Sequence, residues 1–126
     1  MLHEAALDYW NQQRANGLAF CRISMLGFLR LSTAAGVLSR TLKNCDAWAI
    51  YQRYQAEAKV KFLAEPINLE QYLAALTVTL EIPNRLWTDA DLAAFALAIN
   101  ARLVSFDSEF QRIAGLDLFH PTRQMP

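Results

Sequence analysis

Apolar residues recur along this chain with two different spacings, and the spacings alternate. Leu2, Ala5, Ala6, Tyr9 and Trp10 share one stripe, and Asn16-Gly17 ends it, which predicts an amphipathic helix over residues 2–16. Residues 18–23 then read as a strand, with Ser24 capping a helix from 25 to about 33. Ala34-Ala35-Gly36 form a loop, and Asn44 or Asp46 opens a further helix to about residue 58, its apolar body made of Trp48, Ile50, Tyr51 and Tyr54. A strand over 60–63 stops at Glu65-Pro66. Leu69, Leu73, Leu76 and Leu80 mark one face of a helix over 69–80, which Ile82-Pro83-Asn84 breaks. A helix, a strand, a short helix and a strand complete the chain. Helices alternating with short strands predict an α/β fold with a parallel sheet, and no repeat, linker or low-complexity tract interrupts the order.

The chemistry concentrates in the last third. Thr88 reads as the N-cap of a helix, with Asp89 and Asp91 in its first turn, where the helix dipole favours negative charge. Ala90, Ala93, Ala94, Leu97 and Ala98 fit one helical face, and Leu92, Phe95, Ala96 and Ile99 fill the other, so the helix is expected to be buried. At about 100° per residue, Asp89 lies at the edge of the alanine face and Asp91 points well away from it. Leu103-Val104-Ser105-Phe106 reads as a strand buried on both faces and ending at Asp107. Residues 108–114 can form a helix stopped by Gly115. Ligands of open α/β sheets bind outside the carboxyl ends of strands. Taken singly, each acid also reads as a cap or a dipole partner. Taken together, at the ends of two buried elements, they favour a site able to hold a divalent metal.

Composition narrows the classes without choosing among them. The chain has 126 residues, enough for one domain with a real core, and 54% of them are hydrophobic. Formal net charge is zero, so any nucleic-acid site must be local. Cys21 and Cys45 are isolated and lack metal spacing, which fits reduced thiols. The sequence reads as having no signal peptide and no apolar run of membrane length. His3 and His120 lack a partner pattern, and Ser24, Ser32 and Ser105 lack a nucleophile-elbow context. Trp10, Trp48 and Trp87 are expected in the core or a dimer face, and core burial is the default for Met25, Leu26, Phe28 and Leu29.

The order and spacing of these pieces resemble one family. Thr88-Asp89-Ala90-Asp91-Leu92-Ala93-Ala94-Phe95-Ala96, followed by Leu103-Val104-Ser105-Phe106-Asp107-Ser108-Glu109-Phe110 and running on to Leu116, is similar to the PIN domain, specifically the toxin ribonucleases of VapBC toxin–antitoxin systems. His3-Glu4-Ala5-Ala6 with Trp10, Gly27-Phe28-Leu29-Arg30-Leu31-Ser32-Thr33 and Glu65-Pro66 add to the resemblance, which spans nearly the whole chain.

The resemblance implies a three-layer α/β/α fold over 1–126, with acids at the carboxyl edge of a parallel sheet binding Mg²⁺ or Mn²⁺ for hydrolysis of RNA. Carried over by position, Asp89 and Asp107 are the catalytic, metal-binding acids and Glu109 is a further metal ligand, while Asp91 matches no clear role in the family. Arg30 can contact RNA phosphate or pair with a carboxylate. A cognate antitoxin, a homodimer and a cytoplasmic location follow from the same resemblance. Two departures accompany it. The family usually opens with an apolar strand ending in Asp, ahead of the helix that begins here near Leu2, so the expectation is a domain trimmed at its N-terminus. Gly27 stands where the family often has Glu. Two readings therefore run in parallel: an endoribonuclease toxin, or a catalytically impaired remnant that binds an antitoxin or dimerises. An interaction module sharing only the architecture is a third.

Overall fold

The computed structural model describes residues 12, 17–36, 40–105 and 108–119. They fall into two compact units, one within residues 10–64 and one containing 65–119. Gln12 is helical; the rest of the helix expected over 2–16 lies outside the described residues.

In the first unit, β1 (Leu18–Phe20) pairs in parallel with β2 (Val60–Phe62), Leu18 opposite Val60 and Phe20 opposite Phe62. Parallel neighbours need a long crossover. Two helices provide it: α1 (Arg22–Ser32) and α2 (Asn44–Gln55). α1 begins three residues earlier than the apolar pattern suggests. The strand stops at Phe20, Cys21 becomes the N-cap, and Arg22-Ile23 wind into the first turn. Ser24 still serves the cap, from inside the helix. The Cys21 N–H donates to Ser24 Oγ at 2.9 Å, and the Ser24 hydroxyl donates to the Cys21 carbonyl at 3.1 Å. The first of these satisfies a backbone N–H that a helix start leaves unpaired, whereas the Cys21 carbonyl also accepts the first helical bond, from Met25 N–H at 2.9 Å.

The centre of this unit is Tyr51, 2% exposed. Its ring meets Phe20 edge-on at 5.3 Å and Trp48 at 5.6 Å, and Gln55 Nε2 donates to its hydroxyl at 2.6 Å. Burial pushes the phenol above its ordinary value, opposed by the nearby Arg22 charge. Cys21, Met25, Ala47 and Val60 are buried with it. The apolar cluster on α1 divides: Met25 is buried, Phe28 and Leu29 are half-buried, and Leu26 is exposed. Trp48 and Trp87 are also exposed, so neither belongs to the core. Trp10 lies outside the described residues.

In the second unit, α3 (Leu69–Thr79) buries Leu69 and Leu76 and packs on α4 (Trp87–Ile99). Ala93 and Ala94 of α4 are fully buried, and Ala90, Phe95 and Ala96 nearly so. Small side chains let the neighbouring backbone approach closely, as the alanine pattern implied. The start of α4 corrects the sequence reading. A 3₁₀ turn, Asn84–Leu86, leads directly into it, with the Leu86 N–H donating to Pro83 O at 2.8 Å. Thr88 is then the second helical residue, exposed to solvent, and not the N-cap. α4 ends at Asn100 in the left-handed conformation, φ 54°, a terminator that asparagine supplies without glycine.

β3 (Leu103–Val104) pairs in parallel with β4 (Leu118–Phe119), Leu103 opposite Leu118. Leu103 is buried and Val104 exposed, so the described part of this strand is covered on one face, not on both. The helix expected over 108–114 is instead a 3₁₀ turn, Ser108–Arg112; Gly115, φ 81°, reverses the chain after it. Arg102 Nε donates to both carboxylate oxygens of Asp117 at 3.3 Å across the entrance to the two strands. Both side chains are exposed, and such pairs contribute at most about 1 kcal/mol. The observed fold is mixed α/β with parallel pairing, as the alternation predicted. No described helix is long and apolar enough to cross a membrane.

Candidate functional site

Leu76 of α3, the segment 80–86, the first turn of α4 and residues 110–113 line an open cleft of about 450 Å³, counting the solvent at its mouth. Leu76, Leu80, Pro83, Leu86, Phe110 and Ile113 supply apolar walls, and Glu81, Asp89 and Arg112 are the charged groups on its lining. Asp89 is the third residue of α4 and the acid of its first turn, half-buried. Its position follows from the sequence: the Pro83 break sets the 3₁₀ turn, and the turn fixes where α4 starts. A carboxylate there faces the positive end of the helix dipole, worth about 0.3–1 kcal/mol. Apolar walls beside it reduce dielectric screening and strengthen its attraction for a cation.

Of the three acids expected to hold a metal, Asp89 alone can be followed to its side chain. Asp107 lies outside the described residues. Glu109 falls within the 3₁₀ turn Ser108–Arg112, but its side chain lies outside what is described. The turn itself is placed. Phe110 and Arg112 of that segment line the same cleft as Asp89, so the element carrying Glu109 packs beside the start of α4. Among the described residues, no three His, Cys, Asp or Glu side chains converge as a metal-holding group.

Arg30 belongs to the other unit, exposed in the last turn of α1, where a cation complements the helix dipole. Cys21 is buried and Cys45 exposed, and both are free thiols, as expected. His3 and His120 lie outside the described residues.

The walls of the cleft escaped the sequence reading. Ile82-Pro83-Asn84 registered only as a helix break, yet Ile82, Pro83 and Leu86 face the cleft. Phe110 and Ile113, three apart, carried an apolar signal, but Arg112 between them gave none of its own.

Asp91 departs from its expected place. It lies beyond the first turn of α4 and is half-buried, and burial pushes its carboxyl above the ordinary 3.8. Between the unfolded and folded values, the folded chain holds more protons than the unfolded one, so stability rises as pH falls through that window. At neutral pH the ionised group opposes folding. Asp91→Asn is therefore expected to raise the thermal midpoint at pH 7, with the gain shrinking as pH is lowered toward 3.8, measured by circular dichroism melts across that range. A gain that grows on acidification would contradict the assignment.

The PIN domain model matches residues 2–116. The chain is 34% identical over 122 residues to Ribonuclease VapC41 of Mycobacterium tuberculosis (strain CDC 1551 / Oshkosh), covering 92% of this chain and 84% of that protein. It is 32% identical over 126 residues to Ribonuclease VapC33 of the same strain, covering 97% and 87%. Its fold is similar to that in the crystal structure of VapBC2 from Rickettsia felis bound to a DNA fragment from their promoter, with a TM-score of 0.67 at 19% identity over 92% of this chain and 84% of that one. A family model spanning nearly the whole sequence and relatives above 30% identity agree with the α/β fold: the chain belongs to the PIN domain family.

Proposed function

We propose that this protein is a metal-dependent endoribonuclease that hydrolyses RNA phosphodiester bonds, the toxin of a type II toxin–antitoxin pair. It works as one domain in the cytoplasm, as a homodimer held in check by a cognate antitoxin. The observation that carries this reading is Asp89 in the first turn of α4, on a cleft shared with the turn that bears Glu109, in a chain whose curated relatives are named ribonucleases.

Asp89, Asp107 and Glu109 offer only carboxylate oxygens, the hard donors that Mg²⁺ and Mn²⁺ take. These three residues would hold the ion. When bound, it supplies charge neutralisation at the phosphoryl oxygens and lowers the pKa of the attacking water. The protein's own contribution is positioning. α4 fixes the Asp89 carboxylate at a helix start that stabilises its charge. Leu80, Leu86 and Phe110 supply an apolar side to the cleft, and Arg112 adds a cation to the same lining.

The test is cleavage of structured RNA by the purified protein, free of antitoxin, with Mn²⁺ or Mg²⁺ and with EDTA. Cleavage with metal and none with EDTA is expected. Cleavage that survives EDTA, or none under any condition, contradicts the reading.

A further inference from the structure

Formal charge cancels over the chain but not over its parts. Residues 17–64 carry seven Lys or Arg side chains against two acids, a formal +5, whereas residues 65–126 carry four against eight, a formal −4. All seven cations of 17–64 are exposed. Such asymmetry points to a polyanionic partner for the basic part.

One of these cations is held in a distinctive way. The Arg22 guanidinium lies over the Phe62 ring, 4.9 Å from its centroid. Arg22 opens α1 immediately after β1, and Phe62 ends β2, in register with the last residue of β1. The pair therefore stands at the carboxyl ends of both strands, where α/β sheets take their ligands. Phe62 is 39% exposed, although it shares its strand face with the buried Val60.

Arg22 is also poorly placed for stability. A cation in the first turn opposes the helix dipole, and α1 has no acid in that turn to offset it. It also donates a hydrogen bond from Nη1 to Met25 Sδ at 3.2 Å, a neutral acceptor, and lies near the Tyr51 phenol, which carries no compensating charge at neutral pH. Among the described residues, the contacts that orient the guanidinium leave its charge uncompensated. An exposed guanidinium set over an aromatic ring matches what single-stranded RNA binds: bases stack on aromatic rings and on guanidinium planes, and phosphates meet the charge.

We infer that Arg22 and Phe62 form a stacking platform that grips single-stranded RNA, with the basic surface of residues 17–64 steering the strand toward it. The inference takes its ligand class from the ribonuclease reading but rests on different residues, none of them in the acidic site.

Fluorescence anisotropy with a labelled single-stranded RNA oligonucleotide tests it, with EDTA present to prevent cleavage. Phe62→Leu is expected to weaken binding by about 5- to 150-fold, the range that base–aromatic stacking spans. Arg22→Lys keeps the charge but loses the stacked plane, so affinity falls while the salt dependence stays. Arg22→Gln loses both, and its plot of log affinity against log salt becomes shallower by about 0.7. A purely structural role would not separate lysine from glutamine in that slope. Unchanged RNA affinity in all three variants overturns the platform, even if metal-dependent cleavage by the parent protein keeps the ribonuclease reading standing. Affinity that depends on Arg22 and Phe62 in a protein that cuts no RNA supports the platform and removes the ribonuclease reading.

Discussion

Asp89→Asn is expected to lower the rate of metal-dependent RNA cleavage by more than about 100-fold, since even residues that only orient metal ligands cost 10- to 100-fold when removed. The substitution keeps size and shape and removes the charge. Its structural cost is the lost dipole interaction at the start of α4, about 0.3–1 kcal/mol, which corresponds to a fall of a few degrees in thermal midpoint. The two effects are thus well separated in size. Initial rates at saturating Mn²⁺, read beside a thermal melt, distinguish them. A rate close to that of the parent protein would remove Asp89 from the site. A collapse of the melt would assign it a structural role instead.

The largest effect on stability is expected at Tyr51. Truncating a buried aromatic costs about 3–5 kcal/mol through lost burial and the cavity left behind, against a typical total of about 5–15 kcal/mol. Tyr51→Ala removes a ring that is 2% exposed and that joins Phe20 of β1 to Trp48 of α2. Tyr51→Phe keeps the ring and loses only the hydroxyl that accepts from Gln55 Nε2, at about 1 kcal/mol. Denaturant titration should therefore show a large shift for alanine and a small one for phenylalanine. Equal shifts would mean that the hydroxyl, and not the packing, holds this unit together.

The elements were legible where apolar spacing is the dominant force. The alanine face of α4 forecast close packing, and Ala93 and Ala94 are fully buried against their surroundings. The parallel pairing followed from helices separating the strands, as β1 with β2 and β3 with β4 demonstrate. Boundaries failed where backbone hydrogen bonding overrode side-chain preference. Thr88 had the chemistry of a cap, but the turn Asn84–Leu86 had already begun winding the chain before it. Ser24 likewise caps α1 from within, because the helix can start as soon as Phe20 has made its last strand contact.

The candidate site was legible in part. Asp89 announced itself because a charge at the start of an apolar helix is conspicuous. Its cleft did not, since Leu80, Leu86 and Phe110 come from segments whose convergence no local pattern encodes. The Arg22–Phe62 pair was invisible for the same reason: forty residues separate its members, and only the register of β1 against β2 brings them together.

The proposed function requires Asp89 and Asp107 to share one divalent ion. Calorimetric titration of Mn²⁺ into the wild type, Asp89→Asn and Asp107→Asn measures it most directly. Each substitution is predicted to weaken binding by more than about 10-fold, as loss of a carboxylate ligand requires. Mn²⁺ affinity unchanged in both variants would contradict the account.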